Sequence, residues 1–190
     1  MKKEYKVLTA SKNNKFDDIN DIDLSLSLAK YVIDENYRSL TSFSTLPRDY
    51  ENLLWLMTNT VLYFRPVITT LTENGFVYRD LFDDDDALAD HNPFIGSVLT
   101  SSKYINGAAL MLIPHVRQRI AELLDGSFYF CFTSVNEAMI HKCVPYIKPE
   151  PIKEVILAMH ESRTVDKELI LSDHVYICDK NMCCDIDIVL

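Results

Sequence analysis

Glycine is scarce in this sequence: four in 190 residues, at positions 75, 96, 107 and 126. Neither G-x-x-x-x-G-K-[ST] nor G-x-G-x-x-G occurs, so the chain lacks a phosphate-cradling loop and nucleotide-dependent catalysis is not expected. Long apolar runs are missing too. No stretch approaches the roughly 18 uninterrupted apolar residues of a membrane helix, and MKKEYKVLTASKNNK carries charge without the apolar centre of a secretion signal. A soluble, cytoplasmic chain without membrane contact is expected.

Paired metal-ligand spacings are absent as well. The five cysteines, Cys131, Cys143, Cys178, Cys183 and Cys184, form no pair of C-x-x-C motifs, and the one cluster, CDKNMCC with the distant His174, falls short of a zinc pattern. No metal and no cofactor are expected. Their odd number leaves at least one thiol outside any internal disulfide, in keeping with a reducing compartment. Cys178 reads as a small inward-facing hydrophobe.

Positive charge is in deficit. Nineteen Lys and Arg against 28 Asp and Glu give a net charge of −9, which disfavours direct binding to nucleic acid or an anionic membrane and favours a basic partner. The imbalance is uneven: residues 1–90 hold 10 basic and 16 acidic groups, residues 91–190 hold 9 and 12.

What is present is enough apolar residue, 48% of the chain, for one core, and a single domain spanning 1–190 is expected. Leu24, Leu28, Tyr31 and Val32 fit one face of a helix reaching about Asn36. Residues 53–64 suit a buried helix or a pair of strands. Beyond Pro66, VITTLTENGFVY predicts a hairpin around Asn74-Gly75. The aromatic residues Trp55, Tyr63, Phe64, Phe76 and Tyr78 are expected in the core.

The second half divides at its Gly, Pro and Asn residues. PFIGSVLTSS and GAALMLI read as an antiparallel pair about SKYIN. Pro114 opens a helix with Val116, Ile120, Leu123 and Leu124 on one face, stopping at Gly126 as a glycine after the helix end. SFYFCFTS and EAMIHKCV follow as strands, the first apolar on both faces and therefore central. PEPIKEVILAMHES is a surface helix with Ile152, Val155, Ile156 and Met159 inward, and DHVYICDKNMCCDIDIVL a closing hairpin. The predicted class is α+β, a mainly antiparallel sheet with helices packed on it.

SVLTSSKYINGAALMLIP, HVRQRIAELLDG, SFYFCFTSVNEAMIH and LSDHVYICDKN, in that order, resemble the C-terminal half of an uncharacterised domain family of gut Firmicutes. Its members carry V-L-T-N, then G-A-x-x-x-L-Y-P before a helix, then S-S-x-H-E, then L-S-D-x-V-Y-x-Y-D. The resemblance covers about residues 94–181, leaving residues 1–90 as a divergent acidic half beside a family-like α+β half at 91–190. It implies a fold and supplies no catalytic residues. Where members have His before Glu, this chain has Asn136, an amide that cannot titrate. Ser134, Glu137 and His141 remain as the alternative of an enzyme pocket, yet on a strand Ser134 points away from the other two.

Four consecutive aspartates, Asp83, Asp84, Asp85 and Asp86, with Asp90 nearby, admit two readings. They can stabilise the start of a short helix running on through Ala87, Leu88 and Ala89. They can also form an anionic patch for a basic protein partner, since grouping four like charges has a cost that capping alone does not require. The spacing fits no EF-hand calcium loop. On the second reading the chain is a non-enzymatic interaction protein, an inhibitor from a phage or mobile element that blocks a nucleic-acid-directed bacterial defence protein. A ligand-binding or self-associating module is the further alternative.

Overall fold

The period-2 alternation L-S-L-S-L at Leu24 to Leu28 makes a strand where the wider apolar spacing suggested a helix. The computed structural model describes residues 65–102, 104, 106–162, 166–182 and 186–190, together with the backbone of 3–12, 24–34 and 37–45. Strands β1 (Lys3–Lys12), β2 (Leu24–Asp34) and β3 (Tyr37–Thr45) form a three-stranded antiparallel sheet, whose register sets Leu8 opposite Leu28 and Ala10 opposite Leu26. The helix expected over 24–36 is therefore corrected: Leu26 falls off the proposed helical stripe but on the strand face, and Tyr31, Val32 and Ile33 favour extended backbone. Residues 53–64 lie outside the described residues.

The remaining strands form a seven-stranded antiparallel sheet: β4 (Pro66–Thr72), β5 (Gly75–Asp80), β6 (Ser97–Ser101), β7 (Phe128–Ser134), β8 (Glu137–Lys142), β9 (Val175–Cys178) and β10 (Asp187–Ile188). Their spatial order is β10-β9-β7-β8-β6-β4-β5, so the fold is α+β as predicted, with β7 interior and β5 at an edge. In the β4–β5 hairpin Thr72 pairs with Gly75, which leaves Glu73 and Asn74 as the loop. Gly75 takes φ +104°, a left-handed value that a side chain resists.

Each face of the sheet has its own cover. Phe128, Phe130 and Phe132 of β7 join the larger core with the 3-10 helix Gly107–Leu112 and α1 (Pro114–Leu124), while Cys131 meets Ile152 and Ile156 of α2 (Pro149–Glu161) on the other face. GAALMLI is thus a buried 3-10 helix and not the strand expected of it. An apolar run of that length carries no period to separate the two. Asn106 enters it in the left-handed conformation at φ 51°, and its amide donates to Asn136 Oδ1 at 3.1 Å. A β-carbon on Gly107 would lie 2.5 Å from Asn136 O, so only glycine allows this approach.

Helix α1 starts at Pro114 and buries Val116, Ile120 and Leu124 as anticipated. The left-handed residue at its end is Asp125, φ 46°, rather than Gly126, whose amide donates to Ala121 O at 3.1 Å. Helix α2 buries Ile152, Ile156 and His160 and leaves Val155 exposed. Two other corrections concern aromatics: Phe76 and Tyr78, expected in the core, are 64% and 55% exposed. They stand one residue apart on β5, which pairs only with β4 among the described residues, and an edge strand has just one neighbour to pack against.

Candidate functional site

The aspartate run forms a chain of tight turns, not the start of a helix. Ala87 N donates to Asp84 O at 3.2 Å, Ala89 N to Asp86 O at 2.9 Å and His91 N to Leu88 O at 3.0 Å. The carboxylates also serve the local backbone. Asp80 Oδ1 accepts from the amides of Phe82 and Asp83, at 3.0 and 3.1 Å, and Asp84 Oδ1 accepts from Asp86 N at 2.8 Å. Such bonds compete with helical ones, which is why adjacent aspartates favour successive turns. Ala87 and Leu88 are buried beneath and anchor the segment.

Three arginines, distant in sequence, converge on these carboxylates. Arg65 pairs with Asp80 at 3.4 Å and also with Asp83; Arg79 bridges Asp84 at 3.3 Å and Asp90 at 3.1 Å; Arg119 of α1 meets Asp85 at 2.6 Å. Arg119 Nε also donates to Leu81 O at 3.2 Å, tying the turns to the helix. Counting Asp86, six carboxylates face three guanidinium groups, and an excess of three negative charges remains. Asp85 has a side chain 95% exposed despite its pairing. The structure thus brings Asp83, Asp84, Asp85, Asp86 and Asp90 into one segment. Arg79 follows Tyr78 directly on β5, where successive side chains point to opposite faces, so the arginine that holds Asp84 and Asp90 and the exposed rings project from opposite faces of the strand.

A second concavity opens over the middle of the strand order, at β7 and β8 beside α2. It encloses about 280 Å³ between the loop at Pro93, Phe94 and Ile95 and the first turns of α2. Cys131, Met139, Ile152 and Ile156 line it, and Phe94 stacks on Tyr146 at 5.4 Å at the rim. His141 is also a lining residue. Its Nδ1 donates to Pro93 O at 3.0 Å, and burial lowers its pKa. Burial likewise pushes the Cys131 thiol up to about 12, so it stays protonated and unreactive.

A family model described as a family of unknown function, DUF5688, matches residues 57–180. The chain belongs to this family. The match begins well upstream of the motif resemblance, taking in the β4–β5 hairpin and the aspartate run as well as the second half. No curated protein and no solved structure matches the chain.

Within the DUF5688 segment, the L-S-D-x-V-Y motif secures packing. Ser172 Oγ accepts from His174 N at 3.1 Å and from Tyr176 OH at 2.6 Å, and Asp173 bonds His160 Nδ1 of α2 at 2.7 Å. Tyr176 in turn stacks on Phe130 at 5.0 Å. Asn136, standing where the resemblance expects His, anchors the 3-10 helix and donates its amide to Ser134 Oγ at 3.1 Å.

Ser134, Glu137 and His141 are not assembled. Glu137 Oε1 accepts from Thr133 Oγ1 at 3.0 Å, and His141 lies four residues further along β8, about 13 Å away at strand rise. A serine and a histidine do meet elsewhere, a pairing the sequence reading did not single out. His91 Nδ1 lies 2.8 Å from Ser97 Oγ, and Ser97 Oγ lies 2.9 Å from Thr70 Oγ1. Lys142 N donates to His91 Nε2 at 3.2 Å, so Nδ1 carries the proton and donates to the serine. This is the reverse of what a general base does. Ser97 is 1% exposed. His174 Nδ1 donates to Leu190 O at 3.1 Å, and Cys178 is buried as expected; Cys183 and Cys184 lie outside the described residues.

Proposed function

We propose that the chain is a non-enzymatic interaction protein whose contact face is the β4–β5 hairpin with the aspartate turns, and whose partner is a basic protein. The observation that carries this reading is the segment with three uncompensated negative charges, in which the Asp85 side chain is 95% exposed, and which follows in sequence the edge strand that carries exposed Phe76 and Tyr78. Aromatic side chains give large contact area at small entropic cost, and flanking charge steers and orients the encounter. Leu71, opposite Phe76 across the hairpin, is also exposed.

A protein that handles nucleic acid is the partner class this chemistry fits, because its basic groove already accommodates a run of anions. Blocking such a groove is the action of an inhibitor directed at a bacterial defence system. The dispersal of Ser134, Glu137 and His141 further favours binding over catalysis.

The test compares the native chain with the combined variant Asp83→Asn, Asp85→Asn, Asp86→Asn. A partner recovered by affinity purification is titrated against both at several salt concentrations. Affinity for the native chain should fall with salt, and the variant should bind several-fold more weakly with a shallower salt dependence. Equal affinity of both would remove the acidic face from the interaction. Phe76→Ser checks the aromatic contribution in the same assay.

A further inference from the structure

The apolar cleft beside α2 has a nearly buried imidazole among its lining residues. His141 is 5% exposed, and its proton is committed through Nδ1 to Pro93 O. Nε2 therefore offers a lone pair, and it has no hydrogen-bond partner among the described residues. It is not sealed in the interior either: only Arg79 Nε and His160 Nε2 are buried and unsatisfied among the described residues. Gly96 packs close to this edge of the ring, since a β-carbon there would lie 2.8 Å from Cε1 and 3.0 Å from Nε2. A nearly buried acceptor without a donor is costly unless something supplies one.

We propose that the cleft binds a small apolar molecule bearing a hydroxyl group, a phenol or short alkanol, which donates its proton to His141 Nε2. The apolar body would rest on Cys131, Met139, Ile152 and Ile156, beside the stacked pair Phe94 and Tyr146. The volume, about 280 Å³, suits a single ring or short chain at the small end of ligand pockets. Among the described residues no carboxylate lines the cleft, and Lys148 is the one lysine or arginine that does. Its side chain is exposed to solvent.

The probes are 4-ethylphenol, its O-methyl ether, which keeps the ring but cannot donate, and 3-phenylpropanoate, which carries a carboxylate. Binding to the full chain is followed by amide chemical shifts at pH 7.5. 4-Ethylphenol should bind with a Kd on the order of 1 mM or tighter, and the ether about tenfold more weakly, the loss expected when a buried acceptor stays unpaired. His141→Phe should bring the phenol and the ether to equal affinity. Val155→Trp, at a lining residue that is 53% exposed and tolerant of change, should weaken both by blocking the cleft.

Equal binding of phenol and ether to the native chain would overturn the proposal, as would binding indifferent to Val155→Trp or no binding at all. Tighter binding of 3-phenylpropanoate than of 4-ethylphenol would assign the site to acids and overturn it likewise. None of these outcomes bears on the acidic face.

Discussion

His91 accepts the amide proton of Lys142 at 3.2 Å, and this one bond fixes the tautomer of a half-buried imidazole. Burial, then the nearby His141 and Lys142, bring the His91 pKa down from 6.5 to about 4. Between those two values the unfolded chain takes up a proton that the folded ring refuses. Stability is therefore full above pH 6.5 and declines as pH falls towards 4, by about 2–3 kcal/mol. His141, whose pKa burial also lowers, adds to the decline with the same sign. Urea denaturation at pH 7, 5.5 and 4.5 reads the effect, and His91→Gln should flatten it. A variant as acid-sensitive as the native chain would show that His91 is not responsible.

Gly107→Ala tests the seat of the 3-10 helix. The new methyl group would meet Asn136 O at 2.5 Å, Ser101 N at 2.6 Å and Thr100 Cα at 2.7 Å. All three are backbone atoms, which cannot rotate aside as a side-chain end would. Destabilisation of about 1–3 kcal/mol is expected, seen as a lower urea midpoint with an unchanged slope. An unchanged midpoint would contradict the close approach.

Tyr176→Phe removes a buried hydroxyl that donates to Ser172 Oγ at 2.6 Å while keeping the ring on Phe130. The cost should be about 1 kcal/mol. Ser172 also receives the His174 amide, so faster hydrogen exchange at His174 should accompany the loss. Exchange left as in the native chain would separate the two bonds.

The legible parts of the fold were those where a residue's own covalent geometry decides. Pro114 can start a helix because it has no amide to lose, and the β4–β5 hairpin follows from Asn74-Gly75 between β-branched runs. β7 read as central because apolar side chains alternate onto two covered faces. Readings that rested on periodicity over few residues fared worse. Leu24, Leu28, Tyr31 and Val32 satisfy a helical spacing by coincidence, and Leu26 with its serine neighbours tells the other way. GAALMLI has no polar residue to reveal a period, and its conformation is imposed by Asn106, Gly107 and the neighbouring Asn136.

The candidate site was legible as a group of charges but not as a geometry. Asp83 to Asp86 announce themselves, whereas their partners Arg65, Arg79 and Arg119 are scattered along the chain and meet only through β4, β5 and α1. The His91–Ser97 contact and the cleft at His141 likewise join residues whose proximity depends on sheet order. Phe76 and Tyr78 were misplaced for a related reason. Hydrophobicity favours burial, but position in the strand order decides whether a neighbour exists to provide it.

The arginines within the aspartate turns set a condition on anything that docks there. A lysine or arginine from outside that captured Asp85 would have to displace Arg119, which would then lose one of its two acceptors and keep only the carbonyl of Leu81. Such an encounter swaps one cation for another, so it would release less electrostatic energy than the aspartate count suggests. It would also loosen the link between the hairpin and α1, and occupancy of this face would be felt in the packing behind it.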